Sequence, residues 1–231
     1  MKVIGLIGGM SWESTVEYYR LINEIVKQHL GGLHSAKCVL YSVDFAEIEE
    51  LQRQGTWSDA AERLTGAALI VEQSGADFVV LCTNTMHKVA DLIQARIGIP
   101  LLHIADATAD AVKRAGVQRL GLLGTRFTME EDFYQERLTR RRALQVVIPN
   151  AKDRETVHRI IYEELCVGKI SPRSRTQLAD IIKRLVEAGA QGIVLGCTEL
   201  GLLLRAEDSP VPLFDTTRVH ALAAVEEALK S

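Results

Sequence analysis

Two short segments carry residue types that can move protons. Gly196-Cys197-Thr198-Glu199 puts a thiol beside a hydroxyl and a carboxyl, and Thr83-Asn84-Thr85 follows Cys82 and precedes His87. A thiolate is a competent base when a helix N-terminus or a nearby cation lowers its pKa. Thr198 and Glu199 read as the first turn of a helix, whose N–H groups would support the anion. Two groups on opposite sides of one small ligand suit proton transfer at a stereocentre. One removes a proton from one face of Cα and the other delivers a proton to the opposite face. The carbanion between them needs its charge spread into a carboxylate. Backbone N–H groups after Asn84 and Thr198, and near Gly8-Gly9-Met10-Ser11, are candidates to hold it.

Thr83 and Cys197 are related by a repeat, which says what must position them. Ile4-Gly5-Leu6-Ile7-Gly8 matches Leu120-Gly121-Leu122-Leu123-Gly124 at an offset of 116. Gly75-Ala76 with Val79-Val80-Leu81 matches Gly189-Ala190 with Ile193-Val194-Leu195 at 114, and Ile99-Pro100-Leu101-Leu102 matches Val211-Pro212-Leu213-Phe214 at 112. Three matches in one order at nearly constant offset indicate two related halves. Apolar runs predict strands at Val3–Ile7, Val39–Val43, Phe78–Cys82 and Leu101–Ile104, then Leu120–Leu123, Leu144–Ile148, Ile193–Gly196 and Leu213–Phe214. The runs are continuously apolar, as in parallel strands covered on both faces. Helical spacing separates them, for example over Asp59–Gln73. The expected class is α/β, with two pseudo-symmetric halves, each a short parallel sheet flanked by helices. Their boundaries are expected at 1–104 and 105–216, with a C-terminal helix at 217–231 packing back on the first half. Ligands of such sheets sit beyond the carboxyl ends of the strands, and two halves related by an approximate two-fold axis would turn those ends toward a common cleft. At an offset of 114, Thr83 and Cys197 would face each other there.

Composition narrows the function. With 231 residues, 47% of them hydrophobic, the chain can bury a sizeable core. A net charge of -3 leaves no bulk basic field for nucleic acid, and Arg140-Arg141-Arg142 reads as a solvated helix end. No apolar stretch approaches a membrane span, and Met1-Lys2-Val3-Ile4-Gly5 lacks the layout of a signal peptide. Cys38, Cys82, Cys166 and Cys197 form no CxxC pair, so no metal site is expected and a reducing cytoplasm fits. Gly5, Gly8 and Gly9 do not complete a dinucleotide-binding pattern. Cys38 and Cys166 read as core, and His103 as a structural histidine at a strand end.

Across nearly its whole length the sequence resembles the aspartate/glutamate racemases that need no pyridoxal phosphate. The resemblance is carried by Gly8-Gly9-Met10-Ser11 with Tyr18-Tyr19-Arg20, Thr83-Asn84-Thr85 with His87, Gly121-Leu122-Leu123-Gly124-Thr125 and Gly196-Cys197-Thr198-Glu199. It implies a cofactor-independent enzyme with an amino-acid substrate, acting as a homodimer. The family's two bases are cysteines, in a Cys-Asn-Thr triplet and in Gly-Cys-Thr-Glu. The second maps onto Cys197, which by resemblance deprotonates the L-enantiomer. Asn84 and Thr85 fix the register of the first, so Thr83 holds the place of the other cysteine. A one-residue slip on a strand would turn Cys82 away from the site, which makes it a buried structural thiol. An alcohol cannot supply an anionic base near neutral pH, but it can hydrogen-bond a water or pass on a proton.

Met10, Gln52, Asn84, Thr85, Thr125, Lys169, Thr198 and Glu199 are the candidate substrate-binding residues. Lys169 lies in a segment that resembles the family's loop with a substrate-facing lysine. Aspartate-specific relatives carry an arginine after the second strand. Here that region reads Ile48 to Trp57, where Arg53 could take the role and Gln52 could meet a neutral polar group. Aspartate and glutamate are the family expectation, with a broader range including neutral polar amino acids as the alternative. A one-cysteine decarboxylase and a non-catalytic amino-acid-binding protein are further alternatives.

Overall fold

The computed structural model describes residues 1–230, except for the side chains at 140–142, so the expectation for the Arg140-Arg141-Arg142 run lies outside the described residues. Elements follow in chain order: β1 Ile4–Gly8, α1 Trp12–Leu30, β2 Cys38–Ser42, α2 Phe45–Gln54, α3 Trp57–Gln73, β3 Phe78–Leu81, α4 Ala90–Gln94, β4 Leu101–Leu102 and α5 Ile104–Arg114. Then come β5 Arg119–Gly124, α6 Arg126–Glu130, α7 Asp132–Arg142, β6 Gln145–Val147, α8 Ala151–Glu163, α9 Pro172–Glu187, β7 Gly192–Gly196, α10 Leu200–Leu203, β8 Leu213–Asp215 and α11 Thr216–Leu229. A 3-10 turn at Thr85–Val89 follows β3. The fourth strand ends two residues before its expected limit, because Ile104 opens α5.

The chain divides into two compact units: Met1–His103 together with the chain from His220 on, and Ile104–Val219. Helix α11 therefore starts in the second unit and continues in the first. Each unit holds a four-stranded parallel sheet, ordered β2-β1-β3-β4 in the first and β6-β5-β7-β8 in the second. These are the same order by repeat position, so the duplication extends to topology.

Strands β1, β3 and β7 are buried along their whole length, as continuous apolar runs require when helices cover both faces. Alternation then sorts the side chains. In the first unit Ile4, Leu6, Phe78, Val80 and Cys82 pack with α1 and α11, while Ile7, Val79 and Leu81 pack with α2, α3 and α4. In the second, Leu120, Leu122 and Val194 pack with α5 and α7, while Leu123, Ile193, Leu195 and Cys197 pack with α8, α9 and α10. Each fully buried aliphatic side chain is worth roughly 1.5–3 kcal/mol, so a slip of one residue in a central strand is strongly disfavoured.

Candidate active site

Strand register gives the two candidate segments equivalent places in the two sheets. Ile7 pairs with Leu81 in the first sheet, and in the second Leu123 pairs with Leu195 and Gly124 with Gly196. Cys82 thus holds the place of Gly196, and Thr83 that of Cys197, at the carboxyl ends of central strands. Cys82 is fully buried in the α1/α11 cluster, its N–H donates to Ile7 O at 2.9 Å, and burial pushes its thiol pKa up. Thr83 follows in a tight turn, its N–H donating to Leu81 O at 2.9 Å.

The Cys197 thiol donates to Glu199 Oε2 at 2.9 Å, and the Thr198 hydroxyl donates to the same oxygen at 3.0 Å. All three side chains are buried. This departs from the expectation of a thiolate stabilised by a helix. Thr198 and Glu199 form a turn, and α10 after them is a single four-residue turn beginning at Leu200. Burial, and then the Glu199 carboxylate, push the Cys197 thiol well above the ordinary thiol range. The resting thiol is protonated and bonded to a carboxylate.

Residues the sequence did not single out hold this segment from behind. Thr216 Oγ1 donates to Leu195 O at 2.7 Å and Thr217 Oγ1 to Thr198 O at 3.3 Å. Asp215 accepts from Thr217 N at 2.9 Å, and a Cβ on Gly201 would come within 2.5 Å of Asp215 Oδ2. Only a glycine lets α10 approach β8 this closely. The signal was present in Asp215-Thr216-Thr217, capping residue types immediately after a predicted strand.

The other candidates divide between strand ends and the interior. Gly9, at φ 92°, meets the backbone of Val43, where a Cβ would lie 2.2 Å from the carbonyl oxygen. Its N–H donates to Thr15 Oγ1 at 2.8 Å, which fixes the loop after β1. Met10 is buried in an apolar cluster with Met86, and Gln52, also buried, donates from Nε2 to Met86 Sδ at 2.9 Å. Arg53 is exposed and bonded to Glu50 on the surface of α2, its Nε 3.0 Å from Glu50 Oε2. Asn84 and Thr85 are buried beside Thr83. Thr125 caps α6, accepting from Thr128 N at 3.3 Å, while Lys169 is exposed on a loop before α9. Arg126 N donates to His158 Nδ1 at 3.2 Å beside Thr125, a contact between distant positions that no local motif marks.

Among the described residues no helix is long and apolar enough to cross a membrane, and no cluster of three or more His, Cys, Asp or Glu side chains could hold a metal ion.

Comparison with known proteins agrees with this architecture. The Asp/Glu/Hydantoin racemase family model matches residues 7–224. A Yersinia pestis protein classed provisionally as an Asp/Glu racemase superposes with a TM-score of 0.92 at 58% identity, over all of both chains. An aspartate racemase homologue from Pyrococcus horikoshii superposes at 0.86 with 35% identity, again over all of both chains. The broad specificity amino-acid racemase of Bacillus subtilis is 24% identical over 98% of each chain. With its repeated sheet, its matched strand ends and this match over most of its length, the chain belongs to the Asp/Glu/Hydantoin racemase family.

Proposed function

We propose that the protein is a cofactor-independent amino-acid racemase in which Cys197 and Thr83 serve opposite faces of one substrate Cα. The observation that carries this reading is their equivalence: each follows the central strand of a repeated sheet at the same register. Glu199 is placed to take the Cys197 proton at 2.9 Å. Proton transfer within that pair makes the thiolate without adding net charge to a buried site, which offsets the cost that burial puts on an isolated thiolate. The thiolate then removes the α-proton of the L-amino acid. Backbone N–H groups around Asn84 and Thr198 stabilise the carboxylate as the carbanion's charge spreads into it. The Thr83 hydroxyl relays a proton from solvent to the other face, giving its own as it takes another, and Glu199 returns to solvent the proton it took from Cys197, which restores the resting state. The reverse sequence converts D to L.

Aspartate and glutamate are the family expectation for the substrate. A second reading, a broader range including neutral polar amino acids, is favoured by the Arg53–Glu50 pair, which occupies the arginine that would meet a side-chain carboxylate. The name of the Bacillus subtilis relative agrees with it. Cytoplasmic location and a homodimer belong to the same proposal, and the mass in solution tests the latter.

The test is an α-proton exchange screen in deuterium oxide over L- and D-amino acids, with carbon dioxide release from substituted malonates as a control. We expect exchange and inversion in wild type, and loss of both in Cys197→Ala with the fold retained. Full activity in that variant would refute the mechanism. Ligand binding without exchange would favour the binding protein, and carbon dioxide release the decarboxylase.

A further inference from the structure

The backbone of Thr83 is held on both sides. Its N–H donates to Leu81 O at 2.9 Å, and its carbonyl lies 2.7 Å from His87 Nδ1. A carbonyl only accepts, so Nδ1 carries a proton and donates to it. The His87 ring is in turn held by neighbours from distant parts of the chain. It packs edge-on against His103 with centroids 4.4 Å apart, and the His220 ring is 5.9 Å away. His220 is fixed by the same logic. Its Nε2 donates to Leu102 O at 2.8 Å, leaving Nδ1 to accept from the Tyr18 hydroxyl at 2.9 Å. Tyr18, His87, His103 and His220 are all buried, between 0% and 5% exposed. So α1, the turn after β3, the end of β4 and α11 each contribute one aromatic polar side chain to a cluster that ends on the carbonyl of one residue. Buried polar groups are costly unless bonded, and a bonded network rigidifies what it holds.

We propose that His87 is a positioning residue that sets the Thr83 hydroxyl for proton delivery, with His103, His220 and Tyr18 as the wall that holds its ring. The assignment rests on the racemase reading above. Cys197 alone exchanges the α-proton of an L-substrate, whereas inversion also needs Thr83. A loss of Thr83 orientation therefore slows inversion and spares exchange. A general folding defect slows both.

The experiment compares His87→Asn with His87→Gln. Asparagine can place an amide donor at the Nδ1 position, and glutamine places one at the Nε2 position. Deuterium uptake by an L-amino acid is followed by NMR, inversion by chiral chromatography, and folding by thermal unfolding. We expect exchange within about twofold of wild type in both variants, with inversion kept in His87→Asn and cut on the order of tenfold in His87→Gln, the scale of one orienting hydrogen bond. Equal inversion in the two variants, or exchange and inversion falling in parallel, would overturn the positioning role alone. Absence of exchange in wild type with every amino acid would overturn the underlying reading and this assignment with it.

Discussion

Cys197 enters the proposed reaction as a protonated thiol bonded to Glu199, and that bond sets the sign of its pH response. Burial first and the carboxylate second raise the thiol pKa, so loss of its proton to solvent, and with it attack by a reagent that needs the free thiolate, climbs as pH rises. Replacing Glu199 with glutamine removes the negative charge while keeping the shape, and should move the Cys197 titration to lower pH. Alkylation of Cys197 by iodoacetamide, followed by peptide mass mapping, should then be on the order of tenfold faster at neutral pH, because one pKa unit changes the thiolate population tenfold. An unchanged rate would mean that burial alone governs the thiol. Thr83 poses the opposite problem, since its hydroxyl never ionises usefully. L and D forms have equal free energy, so kcat/KM must match in the two directions, and a weak group on one side slows both. Wild-type protein should therefore exchange the α-proton of an L-substrate faster than it inverts it, and the D-enantiomer should exchange more slowly. Thr83→Cys should raise inversion toward the exchange rate, provided the new thiol can ionise. NMR exchange against optical inversion reads both quantities. Equal exchange and inversion in wild type, with no gain in the variant, would remove Thr83 from its role.

At the scale of elements, the candidate site segments are held by packing that leaves little slack. Helix α10 lies against β8 because Gly201 carries no side chain, and Asp215 cannot readily retreat, since it is half-buried and bonded to the N–H groups that open α11. Gly201→Ala should therefore displace α10, and Glu199 with it, at an overpacking cost of about 1–3 kcal/mol. Urea unfolding should show that loss, and activity should fall further than stability explains. A fully active variant of wild-type stability would mean that the turn yields freely. Much of this level was legible beforehand. Continuous apolar runs marked the central strands, and the offset of 114 paired Thr83 with Cys197 as the register does. Alternation on β3 sent Cys82 toward α1 and α11. The turn at Thr198-Glu199 was not legible, because a tight turn and a first helical turn place the same residue types after a strand. Nor was the cluster of Tyr18, His87, His103 and His220, whose members meet only through the fold. Position names Gln52 and Met10 as candidate ligand contacts; their burial around Met86 is a matter of the core they meet, which position alone does not reveal.

For the whole molecule, duplication leaves two chain crossings between units, at His103/Ile104 and Val219/His220. One of the residues at these crossings titrates far from its ordinary range. Burial lowers the His220 pKa from 6.5 to about 4, only partly opposed by its bond to Leu102 O. The native state thus keeps His220 neutral where the unfolded chain takes up a proton. Its contribution to stability is complete above about pH 6.5 and is lost as pH falls toward about 4. A gap of about 2.5 pH units, at about 1.4 kcal/mol each, amounts to about 3 kcal/mol. Asp208, held low by Arg175 against the opposing effect of burial, and Glu227, held low by Lys2 and Lys230, lose stability as pH falls through the ordinary carboxylate range and below it, so most of their effect lies at more acid pH. His158, half-buried and also lowered, shares the His220 window, so wild-type data alone cannot separate the two. His220→Gln does so, because glutamine can keep a donor toward Leu102 O and does not titrate. Urea midpoints for both proteins between about pH 7 and about pH 4.5 should show wild type losing about 2–3 kcal/mol more than the variant over that interval. Parallel curves would mean that His220 is not the group that couples folding to acid.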